Sequence, residues 1–185
     1  MKKIIFSVVI LLLTTQFLYG ENKDIENIRK WFKEINQKAN SPYLGYSRFQ
    51  MADNGASTEG GLIIAHVSKK KFKKITVEHL GEMGKKNTDY YFKDGKLFFV
   101  YSIMTVYNAP VYLTKLEANK QKVEFFDPKK SKKTTERIYL KDGKLIRWLD
   151  SQNKKLNTKS KDAKDRIKEI NNEVKRIISL IKKEI

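Results

Sequence analysis

Cysteine is missing from all 185 residues. Its absence excludes disulfide scaffolds, thiol catalysis, iron–sulfur clusters and cysteine zinc sites. It also excludes the acylated cysteine of a bacterial lipoprotein, and it leaves burial as the source of stability. Histidine is scarce, at 2 residues. Long apolar runs are lacking too. The longest, Ile4 to Leu13, is interrupted at Thr14-Thr15-Gln16, well short of the roughly 18 residues a spanning helix needs. Acidic residues are few beside basic ones, 21 against 39.

What stands at the start of the chain is Met1-Lys2-Lys3, then that apolar run, then a stretch ending at Gly20. A basic start, a short apolar segment and a small residue before charged sequence make a secretory signal peptide over residues 1–20. Cleavage between Gly20 and Glu21 is expected, the alternative being an uncleaved anchor. The expected product is a periplasmic or secreted protein. From Glu21 the chain has 165 residues, the size of one α+β domain over 21–185. Such a domain buries about two thirds of its unfolded surface.

Loss of Lys2 and Lys3 leaves 37 basic against 21 acidic residues, a net charge of about +16. That balance attracts polyanions, in particular an anionic glycan or lipid surface. Only Arg29, Arg48, Arg137, Arg147, Arg166 and Arg176 carry the planar guanidinium that reads phosphates and base edges. The preponderance of lysine argues against nucleic acid as the partner.

Ile25, Ile28, Phe32, Ile35 and Ala39 recur at helical steps, with Trp31 beside them, and predict a helix over 24–39 that stops at Ser41-Pro42. Residues 40–61 read as a glycine-rich loop, with a short strand or turn at Gly45 to Ala52. From Leu62 the period becomes two, predicting an antiparallel sheet of about six to eight strands over 62–150. Strands are expected at Leu62–Val67, Phe72–Leu80, Asp89–Lys93, Lys96–Tyr107, Val111–Leu116, Lys122–Phe126, Glu136–Lys141 and Lys144–Leu149. Two of the connections are Asp-Gly, at Asp94-Gly95 and Asp142-Gly143, which suit type I′ turns. Ala163, Ile167, Ile170, Val174, Ile177 and Ile181 predict a second amphipathic helix over 159–183. Its stripe suits packing on the sheet, a partner helix or an anionic membrane surface.

Two-residue turns pair Phe92 with Leu97 and Tyr90 with Phe99, and place Ile138, Leu140 and Leu145 on the same core face. The other face then carries Tyr91, Phe98, Val100, Tyr139, Ile146 and Trp148. It is apolar, so either a helix covers it or it binds something.

Catalytic chemistry finds little support. His66 and His79 lie at opposite ends of one hairpin, which disfavours shared metal ligation. No serine sits in a nucleophile motif, and Ser57-Thr58-Glu59-Gly60-Gly61 lacks the lysine of a phosphate loop. Glu78, Glu82 and Asp89 gather at one turn, the one place where paired carboxylates could act. No catalytic, cofactor or metal residues are assigned. Tyr107-Asn108-Ala109-Pro110-Val111-Tyr112 interrupts the strand pattern at a proline, a bulge or edge.

The segments Gly81 to Lys85, Tyr90 to Val100, Tyr107 to Tyr112, Phe125 to Lys130 and Asp142 to Leu149 resemble a group of small uncharacterised exported bacterial proteins with tyrosine-rich Asp-Gly-Lys hairpins. The resemblance covers residues 80–150 and implies export and a β-rich core, with no activity attached. The expected function is therefore a non-enzymatic binding module for an anionic envelope component. Its expected surface is a basic rim around Tyr107, Tyr112, Tyr139, Arg147 and Trp148. The alternative is an interaction or inhibitor module that docks on another exported protein.

Overall fold

A computed structural model describes residues 2–39, 45–50 and 59–184. Seven strands form one open antiparallel sheet whose spatial order is the chain order. They are β1 (Gly45–Gln50), β2 (Gly61–Ser68), β3 (Lys71–Gly81), β4 (Gly84–Lys93), β5 (Lys96–Val106), β6 (Lys132–Lys141) and β7 (Lys144–Leu149). Helix α1 (Lys2–Ala39) covers one face and α3 (Lys161–Glu184) the other, while the short α2 (Lys115–Gln121) lies between β5 and β6. The fold is α+β, a meander sheet between an N-terminal and a C-terminal helix, as the periodicity indicates.

Several boundaries differ from expectation. The first helix runs unbroken from Lys2 rather than from 24, since no proline interrupts that stretch. No described helix is long and apolar enough to cross a membrane. Ser41-Pro42 and most of the glycine-rich segment lie outside the described residues, apart from Gly45–Gln50, which forms the edge strand β1. The strands expected at Val111–Leu116 and Lys122–Phe126 are not formed. Thr114 and Glu117 instead close a reciprocal capping box that starts α2, and Lys122 ends it in the left-handed conformation. Those two pairs of local hydrogen bonds outcompete a short apolar run with no sheet edge to join.

Three hairpins share one construction. Lys69-Lys70, Asp94-Gly95 and Asp142-Gly143 all hold positive φ at both central residues, the type I′ geometry. In each, the third residue after the turn is left unpaired as a β-bulge: Lys73, Phe98 and Ile146. The bulge changes the expected parity. Phe92 does pair with Leu97, but Tyr91 then pairs with Phe99 and Tyr90 with Val100. Phe98 and Phe99 consequently both face α1, while Val100 and Trp148 turn to α3. The bulge at Lys73 likewise pairs His66 with Lys74.

Two cores result. Between the sheet and α3 lie Ile63, Ile75, Val77, Tyr90, Val100 and Ile138, met by Ile170, Ile177 and Ile181. Burying each such side chain contributes about 1.5–3 kcal/mol before chain entropy is counted. Ser160 caps α3 through its hydroxyl, which accepts from the Ala163 amide at 3.1 Å. Between the sheet and α1, Ile25 and Ile28 pack with Tyr91, Phe98, Phe99 and Tyr139. Trp31 meets Phe98 edge-on at 5.4 Å and Phe32 meets Phe99 at 5.4 Å. The second apolar sheet face is thus covered by a helix from Ile25 to Ile35.

Candidate functional site

The five residues expected to form one surface are distributed over three places. Tyr139 is buried under α1, with its ring 4.8 Å from Phe99. Arg147 lies beside it on that face and donates to Glu21 at 3.0 Å. Trp148 is on the α3 side, where its indole N–H donates to Glu136 at 2.8 Å. Arg166 grips the same carboxylate with Nε and Nη2, the latter at 2.6 Å. Tyr107 stacks edge-on against Phe126 at 5.0 Å in the excursion between β5 and β6. Tyr112 is 63% exposed there. The bulge at Ile146 sets Arg147 on the face of Tyr139 and Trp148 on the opposite one, so no shared rim forms.

The suspected acidic cluster is likewise divided. Asp89 accepts from Thr76 at 2.6 Å and pairs with Lys74 at 2.9 Å. Glu78 pairs with Lys85 at 3.4 Å, and Glu82 accepts from the Tyr112 hydroxyl. His66 and His79 sit on opposite faces of the sheet. Burial, then the Lys74 charge, lowers the pKa of His66. His79 contacts Glu173 at 3.1 Å.

Positive charge gathers elsewhere. All three type I′ turns lie at one end of the sheet, and each carries lysine: Lys69, Lys70 and Lys71, then Lys93 and Lys96, then Lys141 and Lys144. α1 passes over this end with Trp31 on its flank, and the Lys93 ammonium stands 5.8 Å from the indole centroid. Together Trp31 and Lys93 separate two clefts.

The first cleft, about 300 Å³, is neutral. Lys93, Lys96 and Lys141 line it with Asp24, Asp94 and Asp142. Lys96 pairs with Asp142 at 2.7 Å and Lys141 with Asp24 at 2.8 Å. The hydrogen bond, then the opposite charge, raises the pKa of Lys96 and of Lys141 and lowers that of Asp142.

The second cleft, about 310 Å³, is not compensated. Lys38, Lys69, Lys73 and Lys93 line it around Trp31, Ile35 and Phe92, and among the described residues Glu34 is its one carboxylate. Among the described residues none of these lysines has an ion-pair partner. Lysines brought together over an apolar floor repel one another, and an anion seated among them relieves that repulsion.

Sequence reasoning missed Trp31 and these lysines as a site. The signal was present in the Lys69-Lys70-Lys71 run and the repeated Lys-Asp-Gly-Lys turns. What was lacking was the register that brings all three turns to one end, beneath α1. No family model, no curated protein and no solved structure matches this chain.

Proposed function

We propose that this chain is an exported, non-catalytic binding module for an anionic envelope component, a glycan or a lipid headgroup, held at the Lys38–Lys69–Lys73–Lys93 cleft. The observation that carries this reading is the net positive charge of that cleft, four lysines against Glu34 among its described residues, beside a neighbour whose lysines and aspartates balance. A second feature agrees with it. Lys69 and Lys70 occupy left-handed positions, with φ of 49° and 59°, where an L-residue costs about 1–2 kcal/mol that glycine does not. The chain uses Asp-Gly for the same turn twice over, so stability does not account for two lysines here.

Retention on vesicles containing anionic lipid and on a uronic-acid glycan, each compared with a neutral counterpart, tests the reading. Binding at low ionic strength that fades near physiological salt is expected, as is its loss in Lys69→Gln/Lys73→Gln. Equal indifference to neutral and anionic surfaces would falsify it.

The docking alternative rests on a different observation. Val111, Tyr112, Leu116 and Val123 are exposed, from 46% to 67%, on the excursion between β5 and β6. Exposed apolar side chains grouped on one segment suit a protein partner. Capture of an exported protein that survives moderate salt, and is lost in Tyr112→Asp/Leu116→Asp, would favour that reading.

A further inference from the structure

On the other flank of α1, away from the lysines, lies a cleft of different character. Arg29, Phe32, Phe99, Tyr101, Arg137 and Tyr139 line its volume of about 350 Å³, and among the described residues no carboxylate does. The Arg137 guanidinium stands 5.4 Å from the centroid of Tyr101. Its one hydrogen bond among the described residues, from Nη1 to the Thr135 hydroxyl, is long at 3.5 Å. Arg29 has no ion-pair partner among the described residues. The nearest acidic side chain by register is Asp89, opposite Tyr101. It is already engaged by Lys74 at 2.9 Å, Thr76 at 2.6 Å and Tyr91 at 3.2 Å.

Two other arginines are held by carboxylates, whereas Arg176 has no ion-pair partner among the described residues and keeps a buried Nη1 without a hydrogen bond. Arg147 is held by Glu21, and Arg166 by Glu136 and Glu169. Arg29 and Arg137 instead have no carboxylate partner among the described residues and face a concave, ring-walled space. A guanidinium presents a planar fork of N–H donors that matches the two oxygens of a carboxylate or a phosphate. Phe99 and Tyr139 form a preset wall: each is 6% exposed, and the bulge at Phe98 fixes Phe99 toward α1. Rings packed in this way accept a flat apolar body by stacking with no rearrangement.

We propose that this cleft binds a small ligand in which a carboxylate or phosphate is attached to a flat ring. The oxyanion takes the donors of Arg29 and Arg137, and the ring lies against Tyr101 and the Phe99–Tyr139 wall. The site is independent of the lysine cleft.

Titration of the full chain with phenyl phosphate, with benzoate and with benzyl alcohol tests it. Calorimetry gives the affinity, and the Arg29 and Arg137 Nε–H resonances report the place. Saturable binding of at least one anion is expected, with shifts at both arginines and benzyl alcohol at least tenfold weaker. Which anion binds tighter assigns the oxyanion. Arg137→Gln is expected to lose about tenfold or more, in keeping with a charged hydrogen bond, and Arg137→Lys to recover little of it. Lys69→Gln/Lys73→Gln should bind phenyl phosphate or benzoate as the parent does, which separates this site from the vesicle-binding reading. If Arg137→Gln does not fold, Arg29→Gln, on the exposed side of α1, provides the same measurement. The proposal is overturned if neither anion saturates, if benzyl alcohol binds equally well, or if folded arginine variants keep full affinity.

Discussion

Lys96 donates a 2.7 Å hydrogen bond to Asp142, and so ties the second type I′ turn to the third. The two residues belong to two copies of a repeated element: each hairpin reads Lys-Asp-Gly-Lys, and the last lysine of one copy meets the aspartate of the other. Both are well exposed, at 71% and 63% of the side chain. An exposed pair of this kind contributes little to stability. Its larger effect is electrostatic, since it cancels a lysine that would otherwise join the basic end of the sheet. Asp142→Asn is therefore expected to leave the melting temperature nearly unchanged and to strengthen retention on anionic vesicles about fivefold at low salt. Equilibrium sedimentation with vesicles measures the second quantity. Unchanged or weaker retention would detach the turn end from the proposed function.

The first turn permits the opposite experiment. Lys69 and Lys70 hold the geometry that Asn-Gly adopts without strain, so Lys69→Asn with Lys70→Gly should stabilise the fold by about 1–2 kcal/mol. In a domain of this size that raises the melting temperature by several degrees. The same change removes Lys69 from the uncompensated cleft. Greater stability with weaker anion binding is the expected outcome, read by thermal melting and vesicle retention on one preparation. A variant that gains stability and binds as before would show that these lysines serve neither purpose.

The contrast between those turns explains what could be read from the sequence. Asp94-Gly95 and Asp142-Gly143 announced their hairpins because their residue types suit positive φ, and the stripes Ile25–Ile28–Phe32–Ile35 and Ile170–Ile177–Ile181 announced both covering helices. The bulges at Lys73, Phe98 and Ile146 carry no residue-type signal. Each shifts every later side chain in its strand to the opposite face. That one-residue slip moved Phe99 under α1 and Trp148 under α3, and it dissolved the surface expected from Tyr139, Arg147 and Trp148. The Thr114–Glu117 capping box was legible, yet its short apolar flanks read more readily as strands. The lysines of the turns were visible, but neither cleft could be assembled from the sequence, because each joins α1 to turns or strands about 30 or more residues away.

The contacts of α1 with the sheet include Glu21–Arg147 and Asp24–Lys141, then Ile25, Ile28, Trp31, Phe32, Ile35 and Asn36. These contacts, made by the described side chains of α1, lie at or after the bond where we propose the signal peptidase cuts. A chain starting at Glu21 is therefore expected to fold and to melt within a few degrees of the full-length protein. Amino-terminal sequencing of the exported product should begin at Glu21. Within the shortened chain, Phe32→Ala should cost about 2–3 kcal/mol, less than a fully buried phenylalanine would, since the ring is only partly buried against Tyr91 and Phe99. A product that retains residues 1–20, or a Glu21 chain that does not fold, would favour the uncleaved anchor.

Beneath α3, Glu173 offers a stability test with a defined pH window. Its side chain is 15% exposed and accepts from His79 at 3.1 Å and from the Tyr90 hydroxyl. Burial alone pushes a carboxyl pKa up. Here the hydrogen bonds from His79 and Tyr90, then the charges of Lys86 and His79, outweigh burial and hold it down at about 2. Tyr90 is affected in reverse: burial, then the Glu173 charge, raises its pKa and keeps the phenol a donor. A carboxylate whose folded pKa lies below its unfolded value stabilises the fold above the unfolded pKa. That contribution is lost as pH falls from about 4.5 toward 2. Glu173→Gln should cost about 2 kcal/mol at neutral pH, because the amide keeps the shape but loses the charge-assisted bonds. Its urea-unfolding curve should lie below that of the parent at pH 7 and converge on it near pH 2. Parallel curves across that range would mean that the carboxylate does not hold α3 to the sheet through its charge, and that the apolar seam of Ile170, Ile177 and Ile181 suffices.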